Sequence, residues 1–106
     1  MKITHLAVAI LLAAASPMFS AEQSDHNVRP SAGYVPDAET AIRIALAVWE
    51  PIYGREQIER QKPYRATLQN GVWVVAGSLP PGWRGGVAVA EIAKRDGKIL
   101  RVSHGK

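Results

Sequence analysis

No cysteine occurs anywhere in the 106 residues. That one absence excludes disulfides, thiolate metal ligands, a cysteine nucleophile and a lipid-modified N-terminal cysteine. Aromatic residues are few: three tryptophans, three tyrosines and one phenylalanine. Charge is modest, with 13 Lys+Arg against 9 Asp+Glu and a net +4. Nucleic-acid binding calls for a denser patch of one sign, so no nucleic-acid partner is expected. The histidines, His5, His26 and His104, are too far apart for metal-ligand spacing, and no glycine-rich phosphate loop opens a helix. No metal and no cofactor is expected.

Long apolar runs are also scarce. Leu6 to Ala15, LAVAILLAAA, follows Lys2 and is broken by Ser16-Pro17. A bilayer span needs about 20 apolar residues, so this run is too short to cross but suits a secretory leader. Cutting after Ser20 or Ala21 leaves a small residue at the cut, with Met18 or Phe19 two positions before it. The expectation is a signal peptide over residues 1–21 and a periplasmic or secreted protein with no stable membrane anchor after processing. The competing reading is an uncleaved interfacial anchor.

Residues 22–35, EQSDHNVRPSAGYV, are polar and read as a flexible lead-in to a domain over residues 36–106. Asp37 is a good helix N-cap, since its carboxylate can accept the free N–H groups of the first turn. Ala38, Ala41, Ala45, Val48 and Trp49 form an apolar stripe at helical spacing, flanked by Ile42 and Ile44. Glu39 and Arg43, four apart, can pair on the opposite side. Pro51 disfavours helical geometry in the residue before it, so the helix is expected to end at Glu50. A single further turn is expected around Arg55 to Glu59.

Two hairpins follow. Asn70-Gly71 is the strongest short hairpin signal, because a type I′ turn needs positive φ at both positions. It sets Leu68 opposite Trp73, Ala66 opposite Val75 and Tyr64 opposite Gly77 on one apolar face, with Arg65, Thr67 and Gln69 on the other. In the second hairpin a two-residue Asp-Gly loop would mix apolar and charged residues on both faces. A three-residue loop, Arg95-Asp96-Gly97 with Gly97 left-handed, sets Ile92 against Leu100, Ala90 against Val102, and Glu91 against Arg101 as an ion pair. The expected inward face is then Ala90, Ile92, Leu100 and Val102. Pro80, Pro81, Gly82, Gly85 and Gly86 forbid regular structure across the joining segment SLPPGWRGG. The expected fold is α+β: one N-terminal helix packed on a curled four-stranded antiparallel meander.

Catalytic constellations are missing, and the protein is not expected to be an enzyme. Ser103 and His104 are neighbours on a strand, so their side chains point to opposite faces. His104 falls opposite Ala88 and reads as a structural histidine. Glu50, Glu56 and Glu59 form the only acid cluster, and Arg55, Arg60 and Lys62 interleave with it, which reads as a solvated charged face. The pair Trp83-Arg84 lies in the Gly/Pro-rich loop. Both residue types are enriched at interface hot spots, although Gly85-Gly86 would equally let Trp83 fold back. The candidate partner-binding residues are therefore Trp83 and Arg84, then Arg55, Glu56, Glu59, Arg60 and Lys62.

The segments VPD before the helix, WEPIYG, QKPY, NGVW, SLPPGWRGG and the closing DGKIL…HGK together carry a resemblance. Over about residues 33–106 the chain resembles bacterial polymorphic-toxin immunity proteins with the nuclear transport factor 2 fold, a cystatin-like architecture. The resemblance implies binding rather than catalysis: a cognate protein toxin would be the partner, blocked in the cell envelope if the leader is used. It offers no catalytic residues to carry over. The full fold has three helices and a larger sheet, so a reduced version with a small pocket is expected. The alternative is a small periplasmic ligand-binding or envelope-structural module without a toxin partner.

Overall fold

The computed structural model describes residues 26–106; the expected leader, its cleavage site and the start of the lead-in lie outside them. The element order is α1 (Ala38–Tyr53), α2 (Arg55–Glu59), β1 (Arg65–Gln69), β2 (Val72–Ala76), β3 (Ala88–Ala93) and β4 (Ile99–His104). The strands form one antiparallel sheet in the order β1-β2-β3-β4, with α1 packed on it. The architecture is the expected α+β meander.

Helix α1 begins where the cap dictates. Asp37 is extended and its Oδ1 accepts the Thr40 N–H at 2.8 Å and the Thr40 hydroxyl at 2.7 Å. These bonds, with the Thr40 hydroxyl first, then its N–H, hold the Asp37 carboxyl below its ordinary value; Arg43 adds to them. Ala41, Ala45 and Trp49 are fully buried against the sheet. On the outer side Glu39 and Arg43 pair at 3.1 Å.

The helix does not end at Glu50. It runs through Pro51 to Tyr53. A proline there removes the bond to the carbonyl four residues back, that of Ala47. Ala47 is exposed, so water can take that carbonyl and the break is avoided. The chain turns at Gly54 instead, whose φ of 93° and N–H bond to the Glu50 carbonyl at 2.9 Å close the helix. Helix α2 then supplies the expected further turn and buries Ile58 completely.

The first hairpin has the expected register, with Leu68 opposite Trp73 and Ala66 opposite Val75. Asn70 and Gly71 both have positive φ, 50° and 77°, as a type I′ turn requires. The second hairpin departs from expectation. Glu91 faces Arg101, paired at 3.6 Å, and Ala90 faces Val102, but Ile92 faces Ile99 rather than Leu100. Ala93 N–H bonds the Lys98 carbonyl, so the loop is the four residues 94–97, one longer than expected. A bulge between Glu91 and Ile92 restores the register by pushing Leu100 out of the ladder, where it is 46% exposed. The longer loop is held by Gly97 N–H on the Ala93 carbonyl, 2.9 Å, and Lys98 N–H on the Asp96 carboxylate, 3.0 Å. Gly97 has the expected positive φ, 78°.

The lead-in explains why that loop widens. Tyr34 and Val35 donate their N–H groups to the Arg95 and Lys94 carbonyls, each at 3.0 Å. Val35 is buried, and its carbonyl accepts the Trp73 indole N–H at 2.8 Å. The Lys94 ammonium caps the Ala32 carbonyl and the Tyr34 hydroxyl donates to Val28. The expected boundary at residue 36 is therefore too late, because the last residues of the lead-in are part of the core. The sheet contributes Trp73, Val75, Ala88, Ala90 and Ile92 to that core. One buried donor, Trp49 Nε1, has no acceptor, and nothing in the structure explains it.

Candidate functional site

The 78–86 loop is anchored at both ends. At its start Ser78 donates its N–H to the Gln61 carbonyl at 2.7 Å and its hydroxyl to the Pro63 carbonyl at 2.6 Å. At its end Gly86 lies against Gly105 with no room for a side chain: a Cβ on Gly105 would sit 2.8 Å from the Gly86 Cα. Between these anchors a turn closes from Trp83 N–H to the Pro80 carbonyl, 3.1 Å, and the Trp83 side chain stays out, 62% exposed. Trp83 is thus not folded back into the core.

An open groove of about 260 Å³ lies between this loop, the end of α2 and the end of β4. Gln57, Arg60 and Gln61 form one wall; Leu79, Pro80, Trp83 and Arg84 form the other. His104 and the Gly105-Lys106 segment close it. The structure therefore brings together Trp83, Arg84 and Arg60 from the sequence-derived candidates. Arg55, Glu56, Glu59 and Lys62 do not line the groove. Arg55 instead lies 3.9 Å from Glu50. Glu59 and Glu50 face Tyr64, whose hydroxyl donates to the Ile58 carbonyl at 2.9 Å. Burial first, then those two carboxylates, pushes the Tyr64 phenol above its ordinary value. The mixed charges of the turn are thus partly sorted in space, with Arg60 on the groove side and Glu59 beside Tyr64.

The residue that organises the groove is one sequence reasoning missed. Gln61 is 6% exposed, and it is the buried polar residue of the core. Its Oε1 accepts the Ala88 N–H at 2.8 Å, which leaves its amide NH₂ facing His104 Nε2 at 3.0 Å. His104 Nδ1 meets the Gly105 carbonyl at 2.7 Å. A carbonyl only accepts, so Nδ1 carries the proton and Nε2 is the acceptor for Gln61. Each polar side-chain atom of Gln61 and His104 thus has a partner, and the ring of His104 also rests 5.0 Å from that of Tyr53. Gly77 makes the arrangement possible, because any Cβ there would run into the Gln61 side chain. The only sequence hint was spacing: Gln61 follows the lone apolar residue of the turn, Ile58, by three positions and so shares its inward side.

His104 faces Ala88 and Ser103 faces Val89, so the two side chains leave β4 on opposite faces. Among the described residues no group of three or more His, Asp or Glu side chains could hold a metal ion. No helix among them is long and apolar enough to cross a membrane. What remains is a small α+β domain, an open sheet with a helix on one face and one groove carrying an exposed tryptophan between arginines.

Comparison with known proteins places that class. The sequence model of the NTF2 fold immunity proteins matches residues 40–106, and the chain belongs to this family. Two Escherichia coli K12 proteins are similar. YhhH is 37% identical over 73 residues, which are 68% of this chain and 58% of that protein. YbbC is 39% identical over 67 residues, 62% of this chain and 55% of that protein. The chain thus spans a little over half the length of these relatives. No solved structure gives a significant match.

Proposed function

We propose that this domain is the immunity partner of a secreted protein toxin, and that it works in the cell envelope by binding and blocking that toxin. The observation that carries the reading is family membership over residues 40–106. The groove supports it: an exposed Trp83 flanked by Arg84 and Arg60 is the residue set of a protein-binding hot spot. The leader-like run Leu6 to Ala15 supports the envelope location. Neutralisation then needs no chemistry, only enough affinity to occupy the toxin's active or docking surface.

The test is protection. The toxin encoded beside this gene is expressed with and without this protein, each directed to the periplasm, and cell survival is counted. Co-purification of the two chains should accompany survival. If the neighbouring gene encodes no toxin, and none from related loci is neutralised, the reading fails. Intact mass of the periplasmic protein tests the location: loss of about the first 21 residues is expected. A mass that still contains Met1 would overturn it.

A further inference from the structure

We infer that the groove between α2, the 78–86 loop and the end of β4 docks an acidic segment of the protein partner, with carboxylates received by Arg60 and Arg84 and an apolar side chain laid on Trp83. The inference rests on the function proposed above and names the chemistry of its contact.

Charge carries it. Arg60 and Arg84 both line the groove, and no acidic side chain lines it. The ion pairs among the described residues, Glu39–Arg43, Glu50–Arg55 and Glu91–Arg101, use neither arginine. Among the described residues the two guanidinium groups on this concave surface are therefore in no ion pair, whereas Arg55 nearby is held by Glu50. Guanidinium groups bind carboxylates through paired N–H donors, and such charge-assisted bonds are the strong ones. Trp83 and Leu79 supply exposed apolar surface beside the charges, which suits a segment that mixes acidic and apolar residues. The floor is fixed, since Gln61 and His104 are engaged with each other and with backbone. A fixed floor and a loop anchored at both ends lose little freedom on docking.

The experiment is an NMR titration of the isotope-labelled protein. The probe is a short acetylated peptide alternating glutamate with leucine. Its controls are the same peptide with lysine in place of glutamate, inorganic phosphate, and a thymidine oligonucleotide. Saturable shifts confined to residues 57–61, 79–86 and 103–106 are expected with the acidic peptide alone. They should weaken by about threefold or more between low and high salt. The double variant Arg60→Gln/Arg84→Gln should bind at least about tenfold more weakly while keeping a dispersed spectrum. Should that variant unfold, the single Arg84→Glu on the exposed loop gives the same reading. No shifts, shifts on another face, equal shifts from the lysine peptide, or tighter binding of phosphate or the oligonucleotide each overturn the inference. Toxin binding that survives Arg60→Gln/Arg84→Gln would overturn it too, yet leave the proposed function standing. Peptide binding without any toxin protection would do the reverse.

Discussion

Gln61 and His104 meet at 3.0 Å across 43 residues of chain, and through them the end of α2 is tied to both β3 and β4. The contact is polar and complete, buried at Ala88 and more open toward Gly105, with donors and acceptors alternating from Ala88 through Gln61 and His104 to Gly105. A buried amide with all its partners costs little, and one with a partner removed costs a great deal. The same pair forms the floor of the groove, so stability and the shape of the binding surface rest on one contact.

The first prediction follows. Gln61→Ala leaves the Ala88 N–H buried without an acceptor and opens a void beside Gly77, where the Gln61 side chain now packs. The expected loss is about 2 kcal/mol or more, from the orphaned donor and the void together. Urea unfolding of parent and variant measures it. Equal midpoints would mean the amide is dispensable.

Much of this fold was legible because local chemistry and pattern agreed. Asn70-Gly71 fixed one hairpin, and Asp37 fixed the start of α1. The errors came where distant chain decides. Leu100 looks like a core residue by alternation, but the Tyr34-Val35 backbone claims the carbonyls of Lys94 and Arg95 and the loop takes one more residue. Pro51 looks like a stop, but the carbonyl it frees belongs to an exposed Ala47. The groove could be read only in part: Trp83 and Arg84 announce themselves, while Arg60 is separated from its acidic neighbours only by folding. Gln61 was hidden because nothing local says that a glutamine in a charged turn is inside.

The lead-in gives a second prediction. Trp73→Phe keeps most of the apolar contact but removes the indole donor from the buried Val35 carbonyl. A loss of about 1–3 kcal/mol is expected from that orphaned acceptor. Hydrogen exchange should show the effect to be uneven, with the Tyr34 and Val35 amides losing protection before those of β2 and β3. Uniform loss across the domain would show that residues 34–35 do not open separately.

Gly97 gives a third. Its φ of 78° is one that a β-branched residue tolerates poorly. A Cβ there would meet only the Val35 side chain, at an ordinary 3.6 Å, so backbone strain and not crowding is the expected cost. Gly97→Val should destabilise the domain by more than about 1 kcal/mol, and Gly97→Asn by clearly less, since asparagine enters the left-handed region more readily. Denaturant midpoints of the three proteins rank them. A valine variant as stable as the parent contradicts the turn geometry.

Asp37 provides a pH dependence. Its folded carboxyl lies below the unfolded value of 3.8, chiefly through the Thr40 hydroxyl and N–H. The carboxylate form is therefore the one the fold favours. The stabilisation is complete above the unfolded value and is lost as pH falls through the folded one. Comparing melting temperatures of parent and Asp37→Ala, the gap should be widest above about pH 5 and should close toward pH 2. A gap that does not change with pH would show that the cap works through shape alone.

Trp83 and Trp49 separate binding from folding. Trp49 is fully buried on α1, and Trp83 is exposed on the loop. Trp49→Ala should cost about 3–5 kcal/mol of stability, because a large buried ring leaves a cavity that the sheet cannot close. Trp83→Ala should leave the melting temperature nearly unchanged, since little of its surface is buried in the free protein. On the proposed function, toxin affinity should respond in the opposite order. Trp83→Ala should weaken binding by about 2 kcal/mol or more at full stability, as the loss of a central aromatic anchor does. Trp49→Ala should lose binding only in proportion to the fraction unfolded. Calorimetric melting and toxin titration on the same samples place each variant on both axes. If Trp83→Ala is as stable as the parent and still binds and protects normally, the groove is not the contact. The search would then move to Arg55, Glu56, Glu59 and Lys62 on the outer side of the turn, or to the sheet face that α1 leaves open.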